Sequence, residues 1–291
     1  MPDLSEFALQ LLTGLQIGAV FVLVALGLTL IFGTLGIANF AHGALYLIAA
    51  YAGLEVAEHL GWGWVFVTVP LGLFVVGVVL ERGLIRFFYA RPVADQILVT
   101  FGLALVVQEL ARVIFGGTTK TFPAPRWAIV PIDIGIGYYP PWRLLTIGVT
   151  IVTVIAIYVL LRFTRFGLVV RAGMRDAEMV RLLGIDITSR FTLVFGFGAL
   201  LAAIGGLMGG VSYSVNPESG MAMLVPSFLV VVIGGMGSLP GAVIAGLLMG
   251  VAQALSVLWW PSVSQVMVYF VAVAVLSWRP RGLFGLRGAH E

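Results

Sequence analysis

Long apolar runs, separated by short polar stretches, make up most of this chain. Residues 17–32 and 144–161 are almost entirely apolar, without the alternation of apolar and polar residues that a membrane β-strand requires. With a mean hydropathy of +1.10 and only 10% charged residues, the chain holds more apolar surface than a soluble core can bury. The sequence therefore predicts an all-α, polytopic integral membrane protein, with residues 1–291 forming a single transmembrane domain.

The apolar segments have the length of membrane-crossing helices. A bilayer core about 30 Å thick needs about 20 residues at about 1.5 Å per residue. The candidate spans are 7–32, 42–57, 62–80, 95–115, 143–161 and 191–213, followed by a broken apolar region over 226–277. We expect about eight transmembrane helices, with 42–57 the least certain because it is short.

The distribution of arginine and lysine predicts the orientation. Basic residues are concentrated in the loop at 81–95, in the loop at 162–190 and in the tail that begins at Arg279, and cytoplasmic loops carry such an excess. The loop at 116–142 has few basic residues and is expected outside. Three spans before residue 81 then place the N-terminus outside and the C-terminus in the cytoplasm. The chain must therefore cross an even number of times between Arg190 and Arg279.

That parity predicts a helix break in the C-terminal third. We expect a short helix at 226–237, a turn at 237–241, and spans near 242–258 and 262–277.

Two glycine-rich segments interrupt the helices, one in each half of the chain: GTLGIANFAHGAL (33–45) and GGMGSLPGAV (234–243). Paired interruptions of this kind indicate a translocation pathway, because irregular backbone inside a membrane must be covered by protein or line a water-filled cavity. The residues predicted to line the pathway are Asn39, Phe40, His42, Gly43, Gly234, Gly235, Gly237 and Ser238. The alternative is that both segments are ordinary turns near the surface, with His42 bracing the first.

The loop at 162–190 holds six of the sixteen cationic residues and is patterned like a helix. Its RAGMRDAEMVRLLG stretch (171–184) predicts one short amphipathic helix with Gly184 as the C-cap. Such a helix binds either a protein partner or lipid headgroups, and the acids among its arginines favour a protein. The candidate contact residues are Arg171, Arg175, Asp176, Glu178, Arg181 and Gly184.

Motifs for catalysis, cofactors and nucleic acid are missing from the sequence. The chain has no phosphate-binding loop, no G-x-S-x-G nucleophile motif and no cysteine. Its histidines, His42, His59 and His290, are too scattered for a metal site. We therefore expect neither an enzyme nor a cofactor in this chain, and the net charge of +3 follows from the loop bias rather than from nucleic-acid binding.

One ionisable pair, Glu109 and Arg112, lies within the fourth span on one helical face. Charged residues in a span are often functional, but these two are near its outer end, where pairing with each other is the simpler interpretation.

Three motifs resemble the permeases of branched-chain amino acid ABC importers, and in particular the shorter of the two paired permeases. They are GIANFAHGALYLIAAYAG (36–53), MVRLLGID (179–186) and VVVIGGMGSLPGAVIAGLLMG (230–250). The resemblance implies a multi-pass protein of the bacterial inner membrane that imports branched-chain or other hydrophobic amino acids. It also implies a second homologous permease, two cytoplasmic ATP-binding subunits that bind the ATP, and an extracytoplasmic substrate-binding protein.

The same resemblance implies a role for the loop at 162–190. Permeases of this superfamily carry an E-A-A-x-x-x-G signature, and Glu178 and Gly184 keep its glutamate and glycine. Met179 and Val180 replace the two alanines. The segment would be the coupling helix that docks on an ATP-binding subunit.

Other functions remain open at this stage. A related permease for urea or short amides would have the same motifs. A secondary transporter or channel acting alone predicts buried carboxylates in the spans, and only Glu109 and Glu55 come close. The sequence also leaves open whether the permease pairs with itself or with a homologue.

Overall fold

A computed structural model describes residues 3–285, whose regular secondary structure is helical apart from one small hairpin and an isolated β-bridge between Lys120 and Val215. The outermost N-terminal residues, Arg287 and His290 lie outside the described residues. The α-helices of the described part are α1 Leu4–Leu35, α2 His42–His59, α3 Trp62–Gly83, α4 Val93–Phe115, α5 Arg126–Ile129, α6 Pro141–Phe163, α7 Arg165–Arg175, α8 Ala177–Leu182, α9 Ile187–Tyr213, α10 Ser219–Gly234, α11 Leu239–Ser256 and α12 Met267–Trp278. Short 3₁₀ turns cover Ile85–Phe88 and Pro261–Val266, and strands β1 (Ile132–Asp133) and β2 (Tyr138–Tyr139) form the antiparallel hairpin.

Seven segments of the described chain are long and apolar enough to cross a membrane: α1, α3, α4, α6, α9, α11 and the stretch Pro261–Trp278. Two further helices, α2 with 18 residues and α10 with 16, are shorter or more polar. The predicted all-α, polytopic membrane fold is confirmed, and its helices are interrupted at both glycine-rich segments.

Helix α1 is the centre of the bundle. In its most apolar 18-residue window, 83% of the residues are buried, compared with 17% to 28% for α3, α4 and α6. It runs antiparallel to α11 and α9, and glycines allow the close approach. Gly18 and Gly250 meet backbone to backbone, and a Cβ on Gly205 would lie 2.7 Å from the side chain of Val24. Small residues at such interfaces are typical of packed membrane helices.

The first glycine-rich segment turns back into the bundle. Helix α1 ends at a left-handed Gly36, whose N–H donates to the carbonyl of Phe32 at 2.9 Å. Helix α2 begins at His42, whose Nε2–H donates to the carbonyl oxygen of Val24 at 3.1 Å. Val24 precedes Leu35 by eleven residues, so α2 begins about 16 Å back along α1 from its end.

The second glycine-rich segment is a tight turn between α10 and α11. Its Gly237 packs against Gly33, close to the end of α1. The chain after α12 covers the turn, because the N–H groups of Leu283 and Phe284 donate to the carbonyls of Ile233 and Gly234 at 2.7 and 3.1 Å.

The predicted break is confirmed, but the start predicted for the short helix at 226 is wrong. Helix α10 begins seven residues earlier, at Ser219, and contains Pro226 within it. Membrane helices tolerate an internal proline when neighbouring groups compensate for the lost backbone hydrogen bond. The next helix also begins earlier than the predicted 242, because Ser238 caps α11 and Pro240 occupies its first turn.

Candidate functional site

Two buried polar residues mark the first glycine-rich segment. Asn39 is 2% exposed and its Oδ1 accepts from the N–H of Ala41 at 3.1 Å, while His42 is completely buried. Among the described residues, neither Nδ2 of Asn39 nor Nδ1 of His42 has a hydrogen-bond partner. Because Nε2 of His42 donates to a carbonyl, Nδ1 of the neutral ring is an acceptor. The segment thus presents one unpaired donor and one unpaired acceptor.

Helix α4 anchors this segment. The hydroxyl oxygen of Thr100 accepts from the N–H of Phe40 at 3.1 Å, and the hydroxyl donates to the carbonyl of Gln96 at 2.8 Å. The ring of Phe40 contacts Phe101 of α4 and Phe228 of α10, with centroids 6.5 and 5.5 Å away. The aromatic cluster therefore joins the segment to two helices.

The predicted pathway residues fall into two groups at different levels along α1. Asn39, Phe40, His42 and Gly43 lie together beside α4 and α10, and Gly43 packs on Gly220. In the second group, Gly234 and Gly235 are packed against backbone, whereas Gly237 and Ser238 line a cleft at the end of the bundle. Gly237 contacts α1 at Gly33, and His42 contacts α1 at Val24. These two positions are nine residues apart, so the two groups lie about 14 Å apart along the helix.

The basic loop forms two short helices instead of one. Helices α7 and α8 meet at Asp176, whose backbone is extended and whose Oδ1 accepts from the N–H of Met179 at 2.8 Å. The prediction of a single helix over 171–184 is therefore wrong, because the Asp176 side chain acts as an N-cap and starts a new helix. The side chain of Arg175, at the end of α7, lies outside the described part.

Helix α8 presents an apolar surface to its surroundings. Leu182 and Leu183 are 77% and 71% exposed, Met179 is also exposed, and Glu178 and Arg181 flank them. Val180 turns inward. We call Met179, Leu182 and Leu183 with these two flanking residues the α8 surface.

Gly184 lies two residues after the end of α8 and takes the left-handed conformation, with φ of +76°, that a glycine closing a helix C-terminus adopts. The N–H of Gly184 donates to the carbonyl of Arg181 at 2.9 Å, and the N–H of Ile185 donates to that of Val180 at 3.3 Å. This cap turns the chain directly into α9.

Residues 10–276 match the protein family described as "Branched-chain amino acid transport system / permease component". The chain belongs to this family. The permease is 29% identical to the high-affinity branched-chain amino acid transport system permease protein LivH of Escherichia coli K12, over 96% of both chains. It is 28% identical to BraD of Pseudomonas aeruginosa over 98% of both chains. It is also 25% identical to LivM of Salmonella typhimurium, over 91% of this chain and 67% of LivM. The resemblance noted in the sequence is confirmed.

An ion pair with a buried carboxylate was not predicted in this permease. Glu81, completely buried in the last turn of α3, lies 3.2 Å from the guanidinium of Arg86. Arg86 also donates to the hydroxyl of Thr192 in α9 at 2.9 Å, and the hydroxyl of Tyr89 donates to Glu81 at 2.7 Å. Burial, followed by the hydrogen bond to the Glu81 carboxylate, raises the pKa of Tyr89 above its usual range. The network ties the loop after α3 to the beginning of α9.

Near the C-terminal end of α4, the interpretation of Glu109 and Arg112 as an ion pair is confirmed. The guanidinium of Arg112 lies 2.7 Å from Glu109, and 2.6 Å from Glu218 just before α10. The hydrogen bond from Arg112 holds the pKa of Glu218 below its usual range. All three side chains are exposed, so the bridge joins two elements at the surface.

Proposed function

We propose that this chain is the membrane-spanning permease subunit of a bacterial ABC importer for branched-chain or other hydrophobic amino acids. It acts as a single transmembrane domain, and partner subunits hydrolyse the ATP. Membership of the permease family supports this function, and the α8 surface is the observation that carries it. Exposed leucines beside a flanking acid and arginine, held on a capped helix at the bundle end, suit docking to another protein.

The proposed orientation places the N-terminus outside and the C-terminus in the cytoplasm. The charge distribution supports it. So does the hydrogen bond between Arg86 and Thr192, which joins the basic loop at 81–95 to the helix that follows the basic loop at 162–190. Both loops therefore share one end of the bundle. In the cytoplasmic membrane, this end faces the ATP-binding subunits on the cytoplasmic side.

The proposed pathway passes the first glycine-rich segment. The unpaired polar atoms of Asn39 and His42 suit the charged backbone groups of an amino acid, and the surrounding aromatic and aliphatic side chains suit its apolar side chain. The second group of pathway residues contributes through Gly237 and Ser238, at the cytoplasmic end. Movement of the Phe40 cluster would open the route.

Coupling runs from α8 through α9. The left-handed Gly184 joins the two helices, and α7 rests on α9 where Gly173 meets Ile187 and Phe191. Since α9 packs on α1, α2 and α3, a push on α8 reaches the centre of the bundle. The proposed partners are a second homologous permease, supported by the similarity to LivM, two ATP-binding subunits and an extracytoplasmic binding protein.

The test is to remove the α8 surface without disturbing the bundle. In the double variant Leu182→Asp/Leu183→Asp, we expect the ATP-binding subunits to be lost from the purified complex and leucine uptake by proteoliposomes to fall more than about tenfold, because charges replace the apolar contact. The matched control is Ile129→Asp/Val130→Asp, which places the same charges on exposed apolar residues at the other end of the bundle.

Equal retention of the ATP-binding subunits by both double variants would contradict the docking assignment. Replacing both Glu178 and Gly184 should also reduce transport with membrane insertion intact, and unchanged transport would reject coupling through this segment. Uptake of labelled leucine, isoleucine and valine, compared with urea and acetamide, decides the cargo.

A further inference from the structure

A cleft of about 510 Å³ opens at the end of the bundle that carries the basic loops. The last turns of α1, the end of α6, α7, the α10–α11 turn and the tail enclose it. We call it the basic cleft and define it by Leu30, Phe32, Leu161, Arg162, Arg171 and Ser238. Its volume is within the range of ligand-binding pockets, which is about 300–1,000 Å³.

Two arginines line the basic cleft without a counter-ion among the described residues. Arg162 and Arg171 form no ion pair with any described residue, and the lining contains no carboxylate. Nη1 of Arg171 is shielded from solvent and has no hydrogen-bond partner in the described part of the chain. An unpaired buried cationic donor is costly, so the site lacks an anionic acceptor.

The backbone adds positive potential at the same place. Ser238 and Leu239, at the N-terminus of α11, line the cleft. The Ser238 hydroxyl already accepts from the N–H of Gly241 at 3.1 Å and Pro240 has no N–H, so this end of the 18-residue helix contributes mainly its dipole.

The remaining walls are mostly apolar, apart from Thr29 and Thr34, and such walls suit an amphiphile better than a free ion. Leu30, Phe32 and Leu161 supply aliphatic and aromatic surface beside the two arginines. Tyr158 of α6 also lines the cleft and is 51% exposed. Only 22% of the residues in the most apolar 18-residue stretch of α6 are buried. The cleft is therefore bounded by a helix that faces the bilayer.

We propose that the basic cleft binds an anionic phospholipid. The phosphate pairs with Arg162 and Arg171, and an acyl chain lies along Leu30, Phe32 and Leu161. Basic pockets between membrane helices are suited to acidic headgroups at the cytoplasmic surface. Such a lipid would hold α7 against α1.

The experiment uses the purified full-length permease in nanodiscs of phosphatidylcholine with or without phosphatidylglycerol. Lipid retained after delipidation is counted by native mass spectrometry, and the melting temperature is recorded in each nanodisc. We expect selective retention of phosphatidylglycerol and a higher melting temperature with it. In Arg162→Gln/Arg171→Gln, the affinity for phosphatidylglycerol should fall about thirtyfold, from the loss of two charges near the membrane surface.

The matched control is Arg165→Gln/Arg190→Gln, which removes two exposed arginines of the same loop that do not line the cleft. It should retain phosphatidylglycerol like the wild type. If the Arg162/Arg171 variant does not fold, the wild-type comparison decides, and equal retention of the two lipids overturns the proposal.

Two further measurements test whether a free anion or a protein occupies the cleft instead of a lipid. Inorganic phosphate, tested at constant ionic strength, should give little stabilisation, and an effect equal to that of phosphatidylglycerol would reject the acyl-chain contact. Displacement of the retained lipid by added ATP-binding subunits would assign the cleft to a protein and also overturn the proposal.

Discussion

The two glycine-rich breaks have similar compositions but different structures. The first returns into the bundle, begins α2 beside Val24 and buries polar atoms of Asn39 and His42 without partners. The second is a tight turn at the end of the bundle, satisfied by backbone hydrogen bonds from Leu283 and Phe284. The unpaired polar atoms favour the first break as the amino-acid site, because native proteins leave few buried polar groups without a partner.

The glycines in the two breaks are also needed for different reasons. At Gly36 the requirement is conformational, since φ is +69° and no atom lies within 4 Å of an added Cβ. At Gly235 the requirement is both conformational and steric, since φ is +97° and a Cβ would lie 2.6 Å from the backbone nitrogen of Gly285. A substitution at Gly36 therefore costs backbone strain alone, whereas one at Gly235 costs strain and a clash with the tail.

The largest effect is expected from His42→Ala in the first break. The variant loses the hydrogen bond to Val24 and the ring that fills the space beside Gly27, so the free energy of unfolding should fall by about 3 kcal/mol. Thermal unfolding in detergent and leucine uptake measure the two consequences. His59→Ala, on the exposed end of the same helix, is the control. Equal melting temperatures for the two variants would show that the first break is an ordinary turn.

A smaller effect is expected from Gly235→Ala in the second break. The strained φ and the clash with the tail together should lower the free energy of unfolding by about 2 kcal/mol. Gly36→Ala introduces the strain without a clash and should lower it by about 1 kcal/mol. The two melting temperatures, with protease cleavage of the tail as a second readout, test the difference. If Gly36→Ala proves the more damaging, the tail does not hold the second break.

The smallest effect concerns the anchor of the first break. Thr100→Val removes the acceptor for the N–H of Phe40 and should destabilise the protein by about 1 kcal/mol. Thr68→Val is the control, because Thr68 also donates to a carbonyl four residues earlier but is exposed. Identical unfolding curves for the two valine variants would mean that α4 does not position the segment.

The sequence predicted the features that depend on local residue types. The length of the apolar segments predicted the membrane spans, and the glycine clusters predicted both helix breaks. Gly184 predicted the left-handed turn that follows α8. The Asp176 break was missed because an aspartate within an amphipathic pattern is compatible with a continuous helix until its side chain is seen to cap.

Features that depend on distant contacts were not predictable in the same way. Glu81 and Arg86 are five residues apart, which is not a helical pairing distance, and Thr192 completes their network from another helix. Arg112 and Glu218 are 106 residues apart in the sequence, and the basic cleft draws on five separate elements. Only the packing of the bundle brings these groups together.

The central position of α1 has a consequence for how the protein is made. Helix α1 leaves the ribosome before its main partners, α9 and α11, because residues 36–186 and 36–238 intervene. Gly14 and Gly18 form the surface of α1 on which the backbone of α11 packs. Until α11 is inserted, this surface faces lipid or the insertion machinery. Assembly therefore depends on contacts of high sequence separation, which form slowly.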